Sequence, residues 1–462
     1  MPVVREAYGQ AAYQVGNPHH FISVDEARRT ILAQVRENDR EAENGTGTAD
    51  PSGKARKPGS REEQVELLEA RGRVSSRPVF AAGAAPPFDR SPLDGYAFQA
   101  TDLGLCLDGL RVTGEVVAGH APGRGPGPGE AWRVATGAPI PPGCDVVARF
   151  EDTELRGDVV HIKVPVRSGD NVARRGEDFA IGSLLLPAGV TIRSQHIGLL
   201  AAGGHPQVWV SRRPRVALLS TGDELVETGR PLRPGQIWNS NVFALAAAIV
   251  EVGGRPVTSG TCPDSVPAIA KSLRRLLVGC RPDLILTTGG ASVGERDVCR
   301  AAVAELGGRE LFWRVAMKPG TPAFAAVLGP RLLIGLSGNP AAALTTFDVL
   351  VRPVIAAFLG LEWRPSIVRA VLVNGVGKPS ALRRYYRALL TCSGGQWRAD
   401  VLPGQSPGAL SGMARANGLV VVPEGRGPLQ SGEQVEAWLT ADLTMDGGET
   451  FAVDPAHPLA SG

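Results

Sequence analysis

Acidic residues follow several short apolar runs of this 462-residue chain. RVALLST precedes GDEL, RPVTSGTC precedes PDS, and PDLILTT precedes GGASVGERD, so Asp223 or Glu224, Asp264 and Asp297 each stand just past a run. Carboxylates converging on one rim repel one another unless a divalent cation, magnesium being the natural one, or a positive substrate group sits among them. Taken singly, each is better read as the N-cap of the next helix. Glycines 289, 290 and 294 would let backbone N–H groups approach a phosphate or another oxyanion. The same turn also serves close strand-to-helix packing, and it lacks the Gly-Lys-Ser/Thr ending of a Walker loop. FWRVAMKPGTP sets Arg314 and Lys318 four residues apart, two cations able to face phosphates or simply to be solvated. In LSGNPAAALTTF, Pro340 suits a first helical turn, whose free N–H groups would attract an anion. Nearer the N-terminus, PPFDRSPLDGYAF crowds prolines and aromatics around Asp94, ATGAPIPPGCD presents Thr136, and RRGEDF presents Asp178 beside Glu177. An Asp-Gly turn explains part of the first string but not the whole.

The elements that must hold these residues follow from periodicity. SVDEARRTILAQV reads as a helix behind a Ser N-cap, with Glu26 at the capping-box position. Residues 37–62 hold almost nothing apolar and are expected to be a disordered insertion joining that helix to a second, EEQVELLEARGRV. LRVTGEVVAG, AWRVATG, CDVVARFEDTEL and VVHIKVPV read as strands of a β-rich domain, with GHAPGRGPGPGE a flexible hairpin tip. From Pro214 apolar runs alternate with helical stretches, the last helix from about 340 to 359, which predicts a doubly wound α/β sheet. Ligands of such sheets sit outside the carboxyl ends of the strands. SIVRAVLVNGV, YYRALLTCSGGQWRADVL, GLVVVPEG and QVEAWLT then predict a small β domain.

Bulk properties narrow the class. The length calls for several cores, and 43% apolar with 21% charged residues is ordinary for globular chains. The 49 basic and 46 acidic residues leave a net charge of +3, no footprint for nucleic acid. Apolar stretches are interrupted by Gly, Pro or Arg before the ~20 residues of a membrane span, which predicts no membrane and a cytoplasmic location. Six cysteines without a C-x-x-C pair predict reduced thiols rather than zinc or disulfides.

Nine strings occur in order: PPFDRSPLDGYA, TGAPIPPGCDVV, GEDF, LLSTGDEL, GQIWNSN, TTGGASVGERD, MKPGTP, SGNPAAAL and QSPGALSGMARANGLVVVPEG. Together they resemble the molybdopterin molybdotransferase family, which includes the bacterial molybdenum-insertion enzyme and the C-terminal domain of gephyrin. The likeness runs from about Phe21 to about Leu439. It implies an elongated homodimer of four-domain chains. These would be a segmented helical and extended domain (21–80 and 183–212), a β-rich domain (81–182), an α/β domain akin to molybdopterin adenylyltransferases (213–362) and a C-terminal β-barrel (363–443). In the family the active site lies where the α/β domain of one protomer faces the β domain of the other.

The resemblance also implies roles. Asp94, Thr136, Asp178, Glu224, Asp297 and Lys318 would be catalytic, with Glu224 and Asp297 holding Mg²⁺. Gly289, Gly290, Ser292, Gly294, Asp264, Arg314, Asn339, Pro340, Arg387 and Ser406 would bind adenylylated molybdopterin and molybdate. The reaction would insert molybdate with release of AMP, in molybdenum cofactor biosynthesis; a molybdopterin adenylyltransferase and apo-molybdoenzymes are the implied protein partners. The chain departs from the family's usual pattern at Ser337, where Pro is common, and at Arg314, where Lys is common. Two other readings stand beside this one: a molybdopterin adenylyltransferase, which would need ATP, and a non-catalytic scaffold.

Overall fold

The computed structural model describes residues 21–44, 61–106, 108–290, 298–377 and 379–440. They form two compact units, one made by Glu62–Ser211 and the other by the segments before and after it.

In the first unit, six strands form a sheet in the order Val146–Arg149, Gly95–Phe98, Glu130–Val134, Leu110–Val116, Val159–Ile162, Thr153–Arg156. Alternate residues of one strand enter different cores. Tyr96 and Phe98 pack with Leu110, Val146 and Val160, whereas Ala97 packs with Val116, Val134 and Val147. The expected strands are present, but Leu110–Val116 and Glu130–Val134 run parallel. The Gly/Pro-rich stretch between them is therefore a crossover and not a hairpin tip. It is packed closely enough that a Cβ on Gly125 would lie 1.7 Å from the Pro142 carbonyl oxygen. A smaller core gathers Leu185, Leu186, Leu200, Val208 and Val210 beneath the helix Ser194–Ala202.

That core also corrects the second helix expected at 62–74. Glu62–Glu66 is a strand, antiparallel to Gln207–Ser211, followed by one 3₁₀ turn at Leu68–Ala70. Local periodicity loses here to the pairing with Gln207–Ser211, across which Glu66 accepts from Gln207, and to ion pairs of Glu62 with Arg77 and Glu63 with Arg73.

The second unit opens with α1 (Val24–Asn44), whose Ser23 hydroxyl accepts the Glu26 N–H. Val24, Ala27, Ile31 and Val35 are buried along one face. The helix continues past 37, where disorder was expected, because adding a residue to an existing helix is cheap and Glu, Arg and Ala favour it. The rest of the expected insertion, 45–60, lies outside the described residues. Ile22 exchanges backbone hydrogen bonds with Arg314 and Ala316, and α1 packs on the α/β layers. Residues 21–44 thus fold with the α/β sheet rather than with 183–212.

That sheet contains β1 (Arg215–Thr221), β2 (Arg255–Cys262), β3 (Leu284–Thr288), β4 (Arg309–Trp313), β5 (Phe324–Leu328) and β6 (Arg331–Leu336). The order is β2-β1-β3-β6-β5-β4; the first four are parallel, and the β5–β6 and β4–β5 pairs are antiparallel. Helices α2 (Ser240–Glu251), α3 (Val266–Arg275), α4 (Val298–Glu305) and α5 (Pro340–Phe358) complete the doubly wound domain. Length and composition alone would let α5 cross a membrane, but 72% of its apolar window is buried, the mark of a core helix.

Beyond it, β7 (Ser366–Leu372), β8 (Arg383–Ser393), β9 (Gln396–Val401), β10 (Gly418–Val422) and β11 (Gln434–Leu439) close into a five-stranded barrel, since β8 pairs with both β9 and β10. All six cysteines are free thiols, and burial pushes Cys144 up to about 12.

The β5–β6 pair offers a test of packing. Gly335 lies opposite Phe324, and a Cβ there would meet the Phe324 ring at 1.9 Å. Gly335→Ala should lower the unfolding free energy by about 1–3 kcal/mol in urea titrations. Phe324→Leu in the same chain should recover part of that loss; purely additive effects would show that the ring is not the obstacle.

Candidate functional site

The sheet register brings the strand ends level. Thr221 pairs with Cys262, Ser220 with Thr288, and Thr288 with Leu336, so the loops after β1, β2, β3 and β6 leave from one rim. β4 runs in the same direction, because two antiparallel steps separate it from β6, and Trp313, Phe324 and Gly335 pair in series. Arg314 therefore stands at that rim too.

Backbone packing there is tight. Gly289 and Gly290 have φ values of 87° and 62°. A Cβ on Gly289 would lie 2.1 Å from the Thr221 carbonyl oxygen, and one on Gly290 would lie 2.8 Å from the Thr221 hydroxyl. Packing alone thus requires these two glycines, whatever the loop binds. Ser292, Gly294 and Asp297 lie outside the described residues.

Hydroxyl and amide side chains link the strand ends. Asn241 Nδ2 donates to Thr288 Oγ1 at 2.9 Å and to the Gly338 carbonyl at 2.7 Å, and Thr288 donates to the Ser337 carbonyl at 3.0 Å. Thr221 Oγ1 and Asn241 Oδ1 are buried without a hydrogen-bond partner among the described residues. Sequence reading passed over these residues singly. Their signal was a hydroxyl residue closing each apolar run, in LLST, ILTT and GLS, with Asn-Ser-Asn opening α2.

The acidic rim is partly assembled. The Asp264 N–H donates to Asp223 Oδ1 at 3.2 Å, so the loops after β1 and β2 touch, and the Asp223, Glu224 and Asp264 side chains are exposed. Oxygen donors of this kind suit a hard divalent cation. Among the described residues, however, no group of three His, Cys, Asp or Glu residues is close enough to hold a metal.

The cationic segment leaves β4 with Arg314 at φ 64° and its guanidinium 4.2 Å from the centre of the Trp313 ring. Lys318 is exposed, in register with Arg384 of β8, and Gly320 packs against Thr346 of α5.

At the start of α5 the expected free N–H groups are taken. Ala341 and Ala342 both donate to the Pro407 carbonyl, at 2.9 and 3.2 Å. Arg387 explains that loop's position. It is 1% exposed, and its Nη2 donates to the carbonyls of Gly404 and Ser406 at 2.8 and 3.1 Å. Burial draws its guanidinium below the ordinary arginine range. Arg387 therefore positions Ser406 and, through Pro407, Asn339 and Pro340, while its Nε has no hydrogen-bond partner among the described residues.

In the other unit, three individually ordinary strings form one platform. Ser91 accepts from Gly137 and donates to Ala138, Arg90 exchanges two hydrogen bonds with Ala173, and Asp178 N–H donates to Ala85. Asp89 adds bonds from the Arg174 side chain and the Arg175 N–H, both 2.8 Å. On this platform Asp94 Oδ1 accepts from the Thr136 N–H at 2.6 Å and from its hydroxyl at 2.9 Å, while the Asp178 carboxylate is exposed. Those Thr136 bonds, backbone first, hold the Asp94 carboxyl below the usual range.

A depressed carboxyl pKa means that this lock is complete above the ordinary aspartate value and is lost as pH falls through the lowered one. Thr136→Val removes one of the two donors and should move the Asp94 pKa part of the way back towards about 3.9, read by carboxyl NMR titration. An unmoved value would rule out the hydroxyl contribution.

Comparison with known proteins covers nearly the whole described chain. Residues 22–204 match the MoeA N-terminal region (domain I and II), 217–357 a probable molybdopterin binding domain, and 369–440 the MoeA C-terminal region (domain IV). The molybdopterin molybdenumtransferase of Bacillus subtilis is 34% identical over 390 residues, 82% of this chain and 89% of that protein. Its namesake from Nostoc is 35% identical over 383 residues, 81% and 87% of the two chains. The crystal structure of a molybdopterin biosynthesis MoeA protein from Pyrococcus horikoshii aligns with a TM-score of 0.76 at 29% identity, covering 92% of this chain and all of that one. On these matches, this chain belongs to the molybdopterin molybdenumtransferase family.

Proposed function

We propose that this chain is a molybdopterin molybdenumtransferase that inserts molybdate into adenylylated molybdopterin with release of AMP. The observation that carries the reading is the Asp94–Thr136 lock: both donors engage Oδ1, which fixes the carboxylate while Oδ2 has no hydrogen bond among the described residues. An exposed carboxylate held in one orientation is prepared to act on a substrate. An adenylyltransferase would require only the α/β domain, and would consume ATP; a scaffold would have no use for the lock.

In this proposal Asp94 and Thr136 position the reacting oxygens, assisted by Asp178. The rim of the α/β sheet holds the pterin and its phosphates at Gly289, Gly290, Ser292, Gly294, Asp264, Asn339, Pro340 and Ser406. The buried Thr221 Oγ1 and Asn241 Oδ1 supply further polar atoms beside those loops. Arg314 and Lys318 bind molybdate and offset phosphate charge. Glu224 and Asp297 would hold a magnesium ion, which supplies charge neutralisation at the phosphoanhydride.

The proposed domain borders are those inferred from the sequence for 81–182, 213–362 and 363–443, while the extended domain, expected at 21–80 and 183–212, is cut to 62–80 and 183–211 because 21–44 and Arg212 belong to the unit of the α/β sheet. We further propose a homodimer acting in the cytoplasm, served by a molybdopterin adenylyltransferase and delivering to apo-molybdoenzymes. Supporting a dimer, Phe243, Ala247 and Val250 line one exposed face of α2, near in sequence to exposed Ile237 and Trp238.

Asp94→Ala and Asp297→Ala should each abolish AMP release from adenylylated molybdopterin while circular dichroism stays unchanged; full activity in both would remove the site assignment. Mixing Asp94→Ala with Lys318→Ala protomers should restore part of the activity if the two residues act from different subunits, and should restore none if each protomer works alone. Chelation by EDTA should stop turnover and added Mg²⁺ should restore it, whereas turnover insensitive to the chelator would dismiss the metal.

A further inference from the structure

A cavity of about 610 Å³ opens at the amino-terminal edge of the α/β sheet, the edge opposite the rim described above. Arg274, Arg281 and Arg331 line it, together with Leu277, Leu306 and Leu328. Each side chain is set by its element. Arg274 lies in the last turn of α3, and Leu277 follows three residues later in the wider turn Leu276–Cys280, so the two share a face. Arg281 sits in the left-handed region at φ 44°, just before the segment entering β3. Leu328 ends β5 and Arg331 begins β6, paired across the Gly329–Pro330 turn.

The charge on this cavity is not balanced by the protein. Some arginines of the same unit hold carboxylates: Arg212 with Asp283 at 2.8 Å, Arg300 with Glu310 at 2.7 Å, Arg352 with Asp348 at 2.8 Å. None of the three cavity arginines has an ion pair among the described residues. Asp283, only two residues from Arg281, is occupied by Arg212 and by the Arg215 N–H. Placement at a helix carboxyl end would account for Arg274. It gives no reason for Arg281 and Arg331, of which Arg281 is exposed like Arg274 and Arg331 half-buried, to line the same space, where an anion would offset three like charges. Arginine is also the side chain whose planar fork matches phosphate oxygens.

We infer that this cavity binds a small phosphorylated molecule of nucleotide size, its phosphates between the three arginines and its less polar body on the three leucines. The volume lies within the range of small-molecule sites, roughly 300–1,000 Å³, and is too small for the face of a protein partner. The inference stands apart from the reading of the opposite rim, because no residue is shared.

Hydrogen exchange of the full chain with ADP as probe tests it. Millimolar ADP should slow exchange in peptides covering 274–282 and 328–333, and pyrophosphate alone should do so more weakly. The double variant Arg274→Ala/Arg331→Ala should raise the ADP concentration needed by ~10-fold or more, with circular dichroism unchanged. Arg281→Asn, which keeps a residue tolerant of the left-handed region, should weaken binding as well. Equal protection in wild type and double variant would overturn the site, as would the absence of protection in those peptides. A stronger response to polyglutamate than to ADP would overturn it in favour of an acidic protein partner. Protection at 223–226 or 338–342 reports on the catalytic rim separately, so failure of one reading does not imitate failure of the other.

Discussion

The carboxyl rim of the α/β sheet depends on a close approach between backbones. The end of β3 comes so near the end of β1 that a side chain at Gly289 would overlap the Thr221 carbonyl oxygen, and a Cβ on Gly338 would lie 3.3 Å from Gly289 Cα. Three loops are thereby drawn into one small area, and the polar groups they carry lose access to water. The Asn241 and Thr288 bonds compensate for that loss in part. Two atoms, Thr221 Oγ1 and Asn241 Oδ1, remain buried without a hydrogen-bond partner among the described residues.

A second constraint transmits position from the barrel. Arg387 is enclosed and holds two loop carbonyls, and the next carbonyl, that of Pro407, takes the first free donors of α5. A charge buried in this way is costly unless its hydrogen bonds are made, so the loop has little freedom to move away from it. The barrel thus sets the start of α5, and with it the turn at Asn339 and Pro340, without contributing an exposed side chain from Arg387 itself. In the other unit the same work is done by backbone pairs among 85–91, 137–140 and 173–179, which leave Asp94 and Thr136 as the side chains joined at the surface.

The α/β sheet carries opposite provisions at its two edges. Carboxylates, hydroxyls and the cation Arg314 belong to the rim where the strands end, a field of mixed charge. Arginines without carboxylates face the cavity where strands begin. A parallel sheet with helices on both faces buries its middle, so these two edges are the places where polar side chains can meet a ligand.

Much of this was written in the chain order. Apolar runs closed by Gly, Asp or a hydroxyl residue located β1, β2, β3 and β6, and therefore the loops bearing Glu224, Asp264, Gly289 and Asn339, because strand period and loop chemistry are local properties. The family, too, was legible, since nine ordered strings survive any uncertainty about a single turn. Three-dimensional packing decided the rest. Whether EEQVE became helix or strand depended on a partner 141 to 149 residues away, and whether the Gly/Pro-rich stretch turned back or crossed over depended on the direction of the next strand. That Arg387 would be enclosed while Lys318 remained exposed, and that Thr136 would meet Asp94, could not be read from residue types, because burial and hydrogen bonding are set by segments distant in sequence that only the fold brings into contact.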